Sequence, residues 1–200
     1  MRGFRAKLIG YIREQAQPPD KFSHQARLYA LAVSLADGTP FDDDVLFASA
    51  WLHDLGVFIG HRPADVRALE KWDHVAYAIQ TAPPILSSAG FPEAKIAHVL
   101  NVIREHLPTS TPSSFEAALL RDADILEQLG AVGILRTASK TGRDTRFRTF
   151  ADALTVLEAN SRNLPAQIQL DSTKRRLPER LRLLQAFLRS AQIESDNVPW

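Results

Sequence analysis

The sequence contains no cysteine among its 200 residues. Disulfides, thiolate zinc sites, iron–sulfur clusters and a cysteine nucleophile are therefore excluded. An excess of charge of one sign is also absent, because 24 Lys and Arg residues nearly balance 23 Asp and Glu residues and leave a formal net charge of +1. This balance argues against a dedicated nucleic-acid or polyanion binder, although local basic patches remain possible.

Long hydrophobic runs are missing as well. An uncharged stretch from Val75 to Pro92 is broken by Pro83, Pro84 and Gly90, so it cannot be a membrane helix. The apolar residues 8–12 near the start of the chain are too few for the core of a signal peptide. We therefore expect a cytoplasmic protein without a membrane segment.

Apolar residues recur at helical spacing along the whole chain. Residues 45–55 are apolar nearly all round, which predicts a buried central helix. Pro83 and Pro84 are expected to interrupt a helix that begins near Asp65. Since no strand pattern, repeat or shift in composition is found, we predict one all-α domain over residues 1–200 with about eight to ten helices. Helices within 147–195 are expected to pack on a core formed by residues 20–140.

A His-Asp doublet, His53-Asp54, follows the most hydrophobic of these segments, within Ala-Trp-Leu-His-Asp-Leu-Gly-Val-Phe. Such doublets are common by chance, but this setting is unusual for a carboxylate. Burying an unpaired carboxylate costs several kcal/mol, so Asp54 needs a cation, a strong hydrogen-bond donor or a metal. A core His–Asp pair without any function is the alternative that the doublet alone leaves open.

Two further carboxylates lie in a second apolar helix. Asp124 falls on the same helical face as Leu120 and is expected to be buried, whereas Asp122 is expected to be solvated or paired with Arg121. His24 lies one turn into an earlier helix. Two imidazoles and two carboxylates that converge would suit Mn, Fe, Co, Ni, Zn or Mg. Such a site leaves coordination positions for water and substrate, as metal-assisted hydrolysis requires.

The order of these residues resembles the HD superfamily of metal-dependent phosphohydrolases. The matching segments are Ser23–Leu28, Ala50–Gly56, His74–Ala78, Ile103–His106 and Arg121–Leu126. The segment Leu129–Arg136 looks like the stretch that follows the last metal ligand in small bacterial members acting on nucleotides. The resemblance spans residues 20 to about 140 and implies a helical bundle consisting of a single HD domain.

The resemblance also implies roles for individual residues. It implies four metal ligands, namely His24, His53, Asp54 and Asp124, with Asp54 also orienting or deprotonating a bound water. His74 and His106 fall on accessory histidines that touch the phosphate or, in binuclear members, hold a second metal; we expect a single metal. Asp20 and Ile125 depart from the pattern of related nucleotide-acting members, which puts details of the substrate in doubt but not the metal site.

Three residues outside this set are predicted to bind the substrate. Arg136 begins a basic stretch, residues 136–148, that could steer an anionic substrate. His61 and Arg62 lie in a loop soon after the doublet and could reach a phosphate. The alternative for the basic stretch is a solvated helix face, and the alternative for His61 and Arg62 is a surface loop without a function.

The sequence therefore predicts a metal-dependent phosphohydrolase acting on a phosphate ester or phosphoanhydride of a nucleotide or another small phosphorylated metabolite. Phosphatase, pyrophosphatase and phosphodiesterase activities all fit. The alternative is a non-catalytic helical domain that keeps a metal and senses a ligand or binds a partner. The native metal, the scissile bond and the oligomeric state stay open.

Overall fold

The computed structural model describes residues 3–144 and 146–196. These residues form ten α-helices and three short 3-10 helices and contain no β-strand, which confirms the predicted all-α class. No helix in the described ranges is both long enough and apolar enough to span a bilayer. The chain divides into two compact units, Met1–Arg121 and Asp122–Trp200, which are described separately. A single domain over residues 1–200 stays a prediction.

The first unit is built around one buried helix. Its helices are α1 (Gly3–Gln15), α2 (Phe22–Leu35), α3 (Asp43–Leu52), α4 (Val66–Glu70), α5 (His74–Ala89) and α6 (Glu93–Arg104). Helix α3 packs against α1, α2, α5 and α6, and every residue from Asp44 to Leu52 is buried. This is the predicted central helix, but it ends at Leu52 rather than Leu55. Asp54 therefore lies just beyond the helix.

The start of α3 is fixed by three consecutive carboxylates. Asp42 is the N-cap, and its side chain accepts hydrogen bonds from the backbone N–H groups of Asp44 and Val45. The Arg5 guanidinium binds Asp43 and Asp44, with Nη2 2.7 Å from an oxygen of each. Lys95 on α6 donates to Asp42 at 2.9 Å. The N-terminus of α3 is thus anchored to α1 and α6, which fixes the direction in which its other end points.

Helix α5 also differs from the prediction. Helix α5 continues through Pro83 and Pro84 to Ala89, although each interior proline costs about 3 kcal/mol. Its fully buried residues provide packing that offsets this cost; they are Ala78, Ala82 and Leu86. The expected break lies earlier, at residues 71–73, where α4 ends and Asp73 caps α5 by accepting from the N–H groups of Val75 and Ala76.

The second unit has its own apolar core. Helix α7 (Phe115–Gln128) continues past the boundary between the units after Arg121, and α8 (Ala131–Ala138), α9 (Phe150–Asn163) and α10 (Asp171–Glu194) follow. Helix α10 begins seven residues before Pro178 and includes that proline. The core residues of this unit are Ile125, Leu129, Ile134, Leu157, Leu164, Ile168 and Leu184.

Asp122 is fully buried rather than solvated. Its carboxylate accepts hydrogen bonds from the backbone N–H groups of Gln169 at 3.1 Å and Leu170 at 2.7 Å. Leu170 is the N-cap of α10. Asp122 therefore supplies the negative charge and the acceptors that the start of α10 lacks among its own side chains at the cap. Its role is structural.

We expect Asp122→Ala to lower the free energy of unfolding by about 1–3 kcal/mol, because two backbone N–H groups lose a charged acceptor that is itself buried. Asp171→Ala is the matched control: this carboxylate lies in the first turn of the same helix, is 83% exposed and pairs with Lys174, so its loss should lower the stability clearly less than the loss of Asp122. Urea denaturation of both variants measures the difference. Equal effects would contradict a structural role for Asp122.

Candidate metal centre

His53 lies at the C-terminus of α3, and a backbone carbonyl of that helix holds its ring. It is the C-cap residue, and its backbone N–H donates to the Ser49 carbonyl at 2.9 Å. Nδ1 lies 3.0 Å from the Ala50 carbonyl oxygen. Since a carbonyl only accepts, Nδ1 must carry a proton, and Nε2 is the nitrogen that a neutral ring offers to a metal. That Nε2 lies 3.5 Å from Oδ1 of Asp54.

His24 approaches the same carboxylate from α2. Helices α2 and α3 pack against each other, and the His24 side chain is 2% exposed. Its Nε2 lies 3.6 Å from Oδ2 of Asp54, and its ring centroid lies 5.4 Å from that of His53. The first unit therefore brings together three of the four predicted ligands, one imidazole facing each oxygen of a single carboxylate.

His106 lies at the end of α6 and repeats the arrangement seen at His53. Its Nδ1 lies 2.6 Å from the Ile103 carbonyl oxygen, three residues earlier, so Nδ1 donates this bond and Nε2 is the ring nitrogen left for a ligand or a substrate. A ligand atom from each of His53, Asp54 and His106 lies within 4.8 Å of the other two. The following loop is held by Arg121, which is buried and donates to the Pro108 carbonyl at 2.6 Å.

His74 is the first residue of α5 and is half-buried. Its ring centroid lies 6.0 Å from that of His106. Residues His24, His53, Asp54, His74 and His106 thus form one group within the first unit. The two accessory histidines adjoin each other, as their shared predicted role requires.

The carboxylate at the centre of the group is ionised. The Asp54 side chain is 16% exposed. Burial by itself would raise the pKa of its carboxyl group. With the imidazoles protonated, the positive charges of His53, His24, Lys21 and His106 lower this pKa by more than burial raises it, and it lies well below the ordinary value. A buried carboxylate that keeps its charge is the type of group that binds a cation.

These residues fit a divalent metal. The two separations between nitrogen and carboxylate oxygen, 3.5 and 3.6 Å, are longer than hydrogen bonds. Two ligands that share one ion at about 2.1 Å from each lie roughly 3.0–3.5 Å apart. Neutral imidazole nitrogens with carboxylate oxygens suit Zn, Fe, Co, Ni and Mn.

Asp124 and Arg136 belong to the second unit. Asp124 is half-buried on α7, and its Oδ2 accepts from Nε2 of Gln128 at 3.1 Å. Arg136 on α8 donates to the carboxylate of Glu127, whose side chain is only 3% exposed. Arg136 is therefore held in a fixed position by a buried ion pair.

His61 and Arg62 lie in the loop between Asp54 and His74. Nδ1 of His61 lies 2.9 Å from the Tyr77 hydroxyl, and Nε2 lies 2.8 Å from Oε1 of Gln15. Burial lowers the pKa of His61. Both ring nitrogens are thus engaged in hydrogen bonds that tie the loop to α1 and α5. Arg62 is half-buried, and its backbone N–H donates to the Phe58 carbonyl.

Sequence reasoning missed two cationic side chains that act on the group around Asp54. Lys21, three residues before His24, lowers the pKa of Asp54; that spacing on neighbouring helical turns is a signal that could have indicated it. Arg121 was considered only as a partner for Asp122, but it also holds the loop after His106. Its acceptors are backbone carbonyls, which no sequence pattern identifies.

Comparison with known proteins gives one family match and several similar folds. The model of a protein family described as HD domain matches residues 22–129. No curated protein sequence matches the chain significantly. The structure of an HD-superfamily hydrolase from Bacillus thuringiensis has a TM-score of 0.69 and 20% identity, with 97% of each chain covered.

Two structures of YpgQ from Bacillus subtilis are also similar. One has a TM-score of 0.72 at 19% identity and covers 96% of this chain and 95% of YpgQ. The other, YpgQ in complex with ADP, has a TM-score of 0.69 at 18% identity and covers 95% of this chain and 97% of YpgQ. At these identities the likeness establishes a shared fold.

We expect Mn²⁺ to stabilise the protein against heat, because a ligand that binds only the folded state adds about 2.7 kcal/mol at 100 times its Kd. His24→Ala should lose most of this effect. The matched control is His98→Ala on α6, since His98 is 38% exposed and pairs with Glu116. Differential scanning calorimetry and metal analysis, each with and without chelator, provide the test. Unchanged Tm and metal content after chelation would show that the group holds no metal.

Proposed function

We propose that this chain, which belongs to the HD domain family, is a metal-dependent phosphohydrolase. The family match confirms the resemblance seen in the sequence, and the fold is that of HD-superfamily hydrolases. The proposed substrate is a phosphate ester or phosphoanhydride of a nucleotide or another small phosphorylated metabolite. The observation that carries the proposal is the pair of buried imidazole nitrogens facing the two oxygens of the ionised Asp54 at 3.5 and 3.6 Å.

The proposed ligands are His24, His53, Asp54 and Asp124. The first three adjoin one another in the first unit, and the fourth is proposed from the order of residues that the family match covers. These four residues leave coordination positions open for water and substrate. A divalent ion bound to them would lower the pKa of a coordinated water and polarise a phosphoryl oxygen.

Asp54 has the properties of a hydrogen-bond acceptor as well as a ligand. Its carboxylate is ionised, and each of its two oxygens faces a different imidazole. One oxygen can bind the ion while the other accepts a hydrogen bond from the attacking water and aligns its lone pair with phosphorus. We therefore assign Asp54 the central role in the reaction.

His106 and His74 are proposed to stabilise the negative charge that develops on the phosphoryl oxygens. His106 suits this role because its Nδ1 is held by the Ile103 carbonyl and its Nε2 lies within reach of His53 and Asp54. Arg136 and Arg62 are proposed to attract the anionic substrate. For His61, the hydrogen bonds to Tyr77 and Gln15 favour a role in holding the loop over contact with phosphate.

A nucleotide is the proposed substrate class because YpgQ, which shares the fold, has been crystallised with ADP. The cytoplasm is kept as the proposed location, since a chain without cysteine does not depend on an oxidising compartment. The proposed cofactor is one divalent ion from the series Mn, Fe, Co, Ni, Zn and Mg.

The proposal is tested with a panel of divalent metals against p-nitrophenyl phosphates and nucleotides. We expect metal-dependent release of phosphate or pyrophosphate from at least one substrate. Asp54→Asn should reduce that activity by about 10²-fold or more, because the amide keeps the shape but loses the charge. Turnover by this variant within tenfold of wild type would contradict the assignment. No turnover by the wild type with any metal would favour a ligand-sensing domain.

Two histidine variants separate ligands from accessory residues. His106→Ala should keep nearly stoichiometric metal while kcat/KM falls by about 10²–10³-fold, the loss expected for one electrostatic donor. His24→Ala should lose metal and activity together. Metal analysis and steady-state kinetics on both variants show whether metal content and kcat/KM fall together or separately. If His106→Ala removes one of two ions bound by the wild type, the site is binuclear and the proposal of a single metal is wrong.

A further inference from the structure

A hydrogen bond joins the two ends of the segment that leads from Asp54 to His74. The indole Nε1–H of Trp72 donates to the backbone carbonyl of Gly56 at 2.7 Å. Gly56 lies two residues after Asp54, and Trp72 lies two residues before His74. The bond therefore connects the backbone beside Asp54, a proposed metal ligand, with the residue two positions before His74, which is proposed to bind phosphate.

Gly56 also contacts the backbone of His74 directly. A side chain at this glycine would place its Cβ 2.6 Å from the His74 carbonyl oxygen and 2.8 Å from its Cα, which is far closer than van der Waals contact. The lack of a side chain at Gly56 therefore lets the two backbones approach. The bond from Trp72 holds them in that approach.

The rest of the surroundings orients the Trp72 ring. Its centroid lies 5.2 Å from that of Tyr77, whose hydroxyl bonds His61. Asp73, between Trp72 and His74, caps α5 and so fixes His74 as the first helical residue. The bond that Trp72 donates adds a directed link, beside the direct contact of Gly56 with His74, between the turn after Asp54 and the start of α5.

We propose that Trp72 is a positioning residue, whose N–H bond to Gly56 sets where the His74 imidazole stands relative to Asp54. The inference rests on the proposed function in one respect: a misplaced His74 should bind a phosphoryl group more weakly. Loss of the Trp72 bond should change the affinity for a divalent metal little, because His24 and His53 are held by α2 and α3 and not by this loop.

The test replaces only the N–H of the indole. Benzothienylalanine incorporated at position 72 keeps the size and shape of the ring but cannot donate, whereas Trp72→Phe also removes packing and risks the fold. The same replacement at position 51 is the matched control. Among the described residues Nε1 of Trp51 has no hydrogen-bond acceptor, although Trp51 is buried only three residues before Asp54.

Two readouts are needed. Histidine labelled with ¹³C at Cε1 gives one NMR signal for each of the six histidines in the Zn²⁺-loaded protein, assigned with single His→Gln variants. Calorimetry measures binding of Mn²⁺, and then of inorganic phosphate to the Mn²⁺-loaded protein. In the position 72 variant we expect the His74 signal to move, phosphate affinity to fall about tenfold and Mn²⁺ affinity to stay within about threefold.

An unmoved His74 signal, a loss of phosphate affinity below threefold, or a loss of Mn²⁺ affinity as large as that of phosphate would overturn the proposal. So would equal effects of the replacement at position 51. If the wild type binds Mn²⁺ but no phosphate, the proposed function fails instead. The His74 signal then decides by itself whether Trp72 positions His74.

Discussion

The structure around the site depends on keeping one buried carboxylate charged. Asp54 follows the most apolar helix of the chain, where every residue from Asp44 to Leu52 is buried. Removing a carboxylate from water costs several kcal/mol unless cations or donors compensate. Here His24 and His53 face its two oxygens, and when these imidazoles are protonated their charges, with those of Lys21 and His106, lower the pKa of Asp54 despite its burial. A divalent cation would satisfy the same carboxylate and both imidazoles at once.

Backbone carbonyls at the C-termini of α3 and α6 orient His53 and His106 in the same way. The last carbonyls of a helix have no partner within the helix, and the Ala50 and Ile103 carbonyls accept instead from Nδ1 of His53 and His106, each three residues later. These bonds fix the tautomer and direct Nε2 away from the backbone. Rings held in this way need little reordering when an ion binds, which lowers the entropic cost of binding.

The sequence was sufficient for the fold class and for expecting His24, His53 and Asp54 to lie together. Apolar periodicity predicted an all-α chain and the central helix α3. The free-energy cost of burying a carboxylate singled out His53-Asp54 as a candidate site. It was insufficient where tertiary packing outweighed local preference: α5 passes through Pro83 and Pro84 because its other face is buried. It was also insufficient where backbone atoms are the partners, as for Asp122 with Leu170 and Trp72 with Gly56. Main-chain carbonyls and N–H groups are present at almost every position, so a sequence pattern cannot select among them.

The central claim is that the Asp54 carboxylate and its two facing imidazoles hold a divalent ion. The most direct measurement is an anomalous difference map from crystals soaked in Mn²⁺, collected on both sides of the manganese absorption edge. The account predicts a peak about 2.0–2.3 Å from Nε2 of His24, Nε2 of His53 and an oxygen of Asp54. A map with manganese peaks only elsewhere, or with none, from crystals in which these side chains are ordered would contradict it.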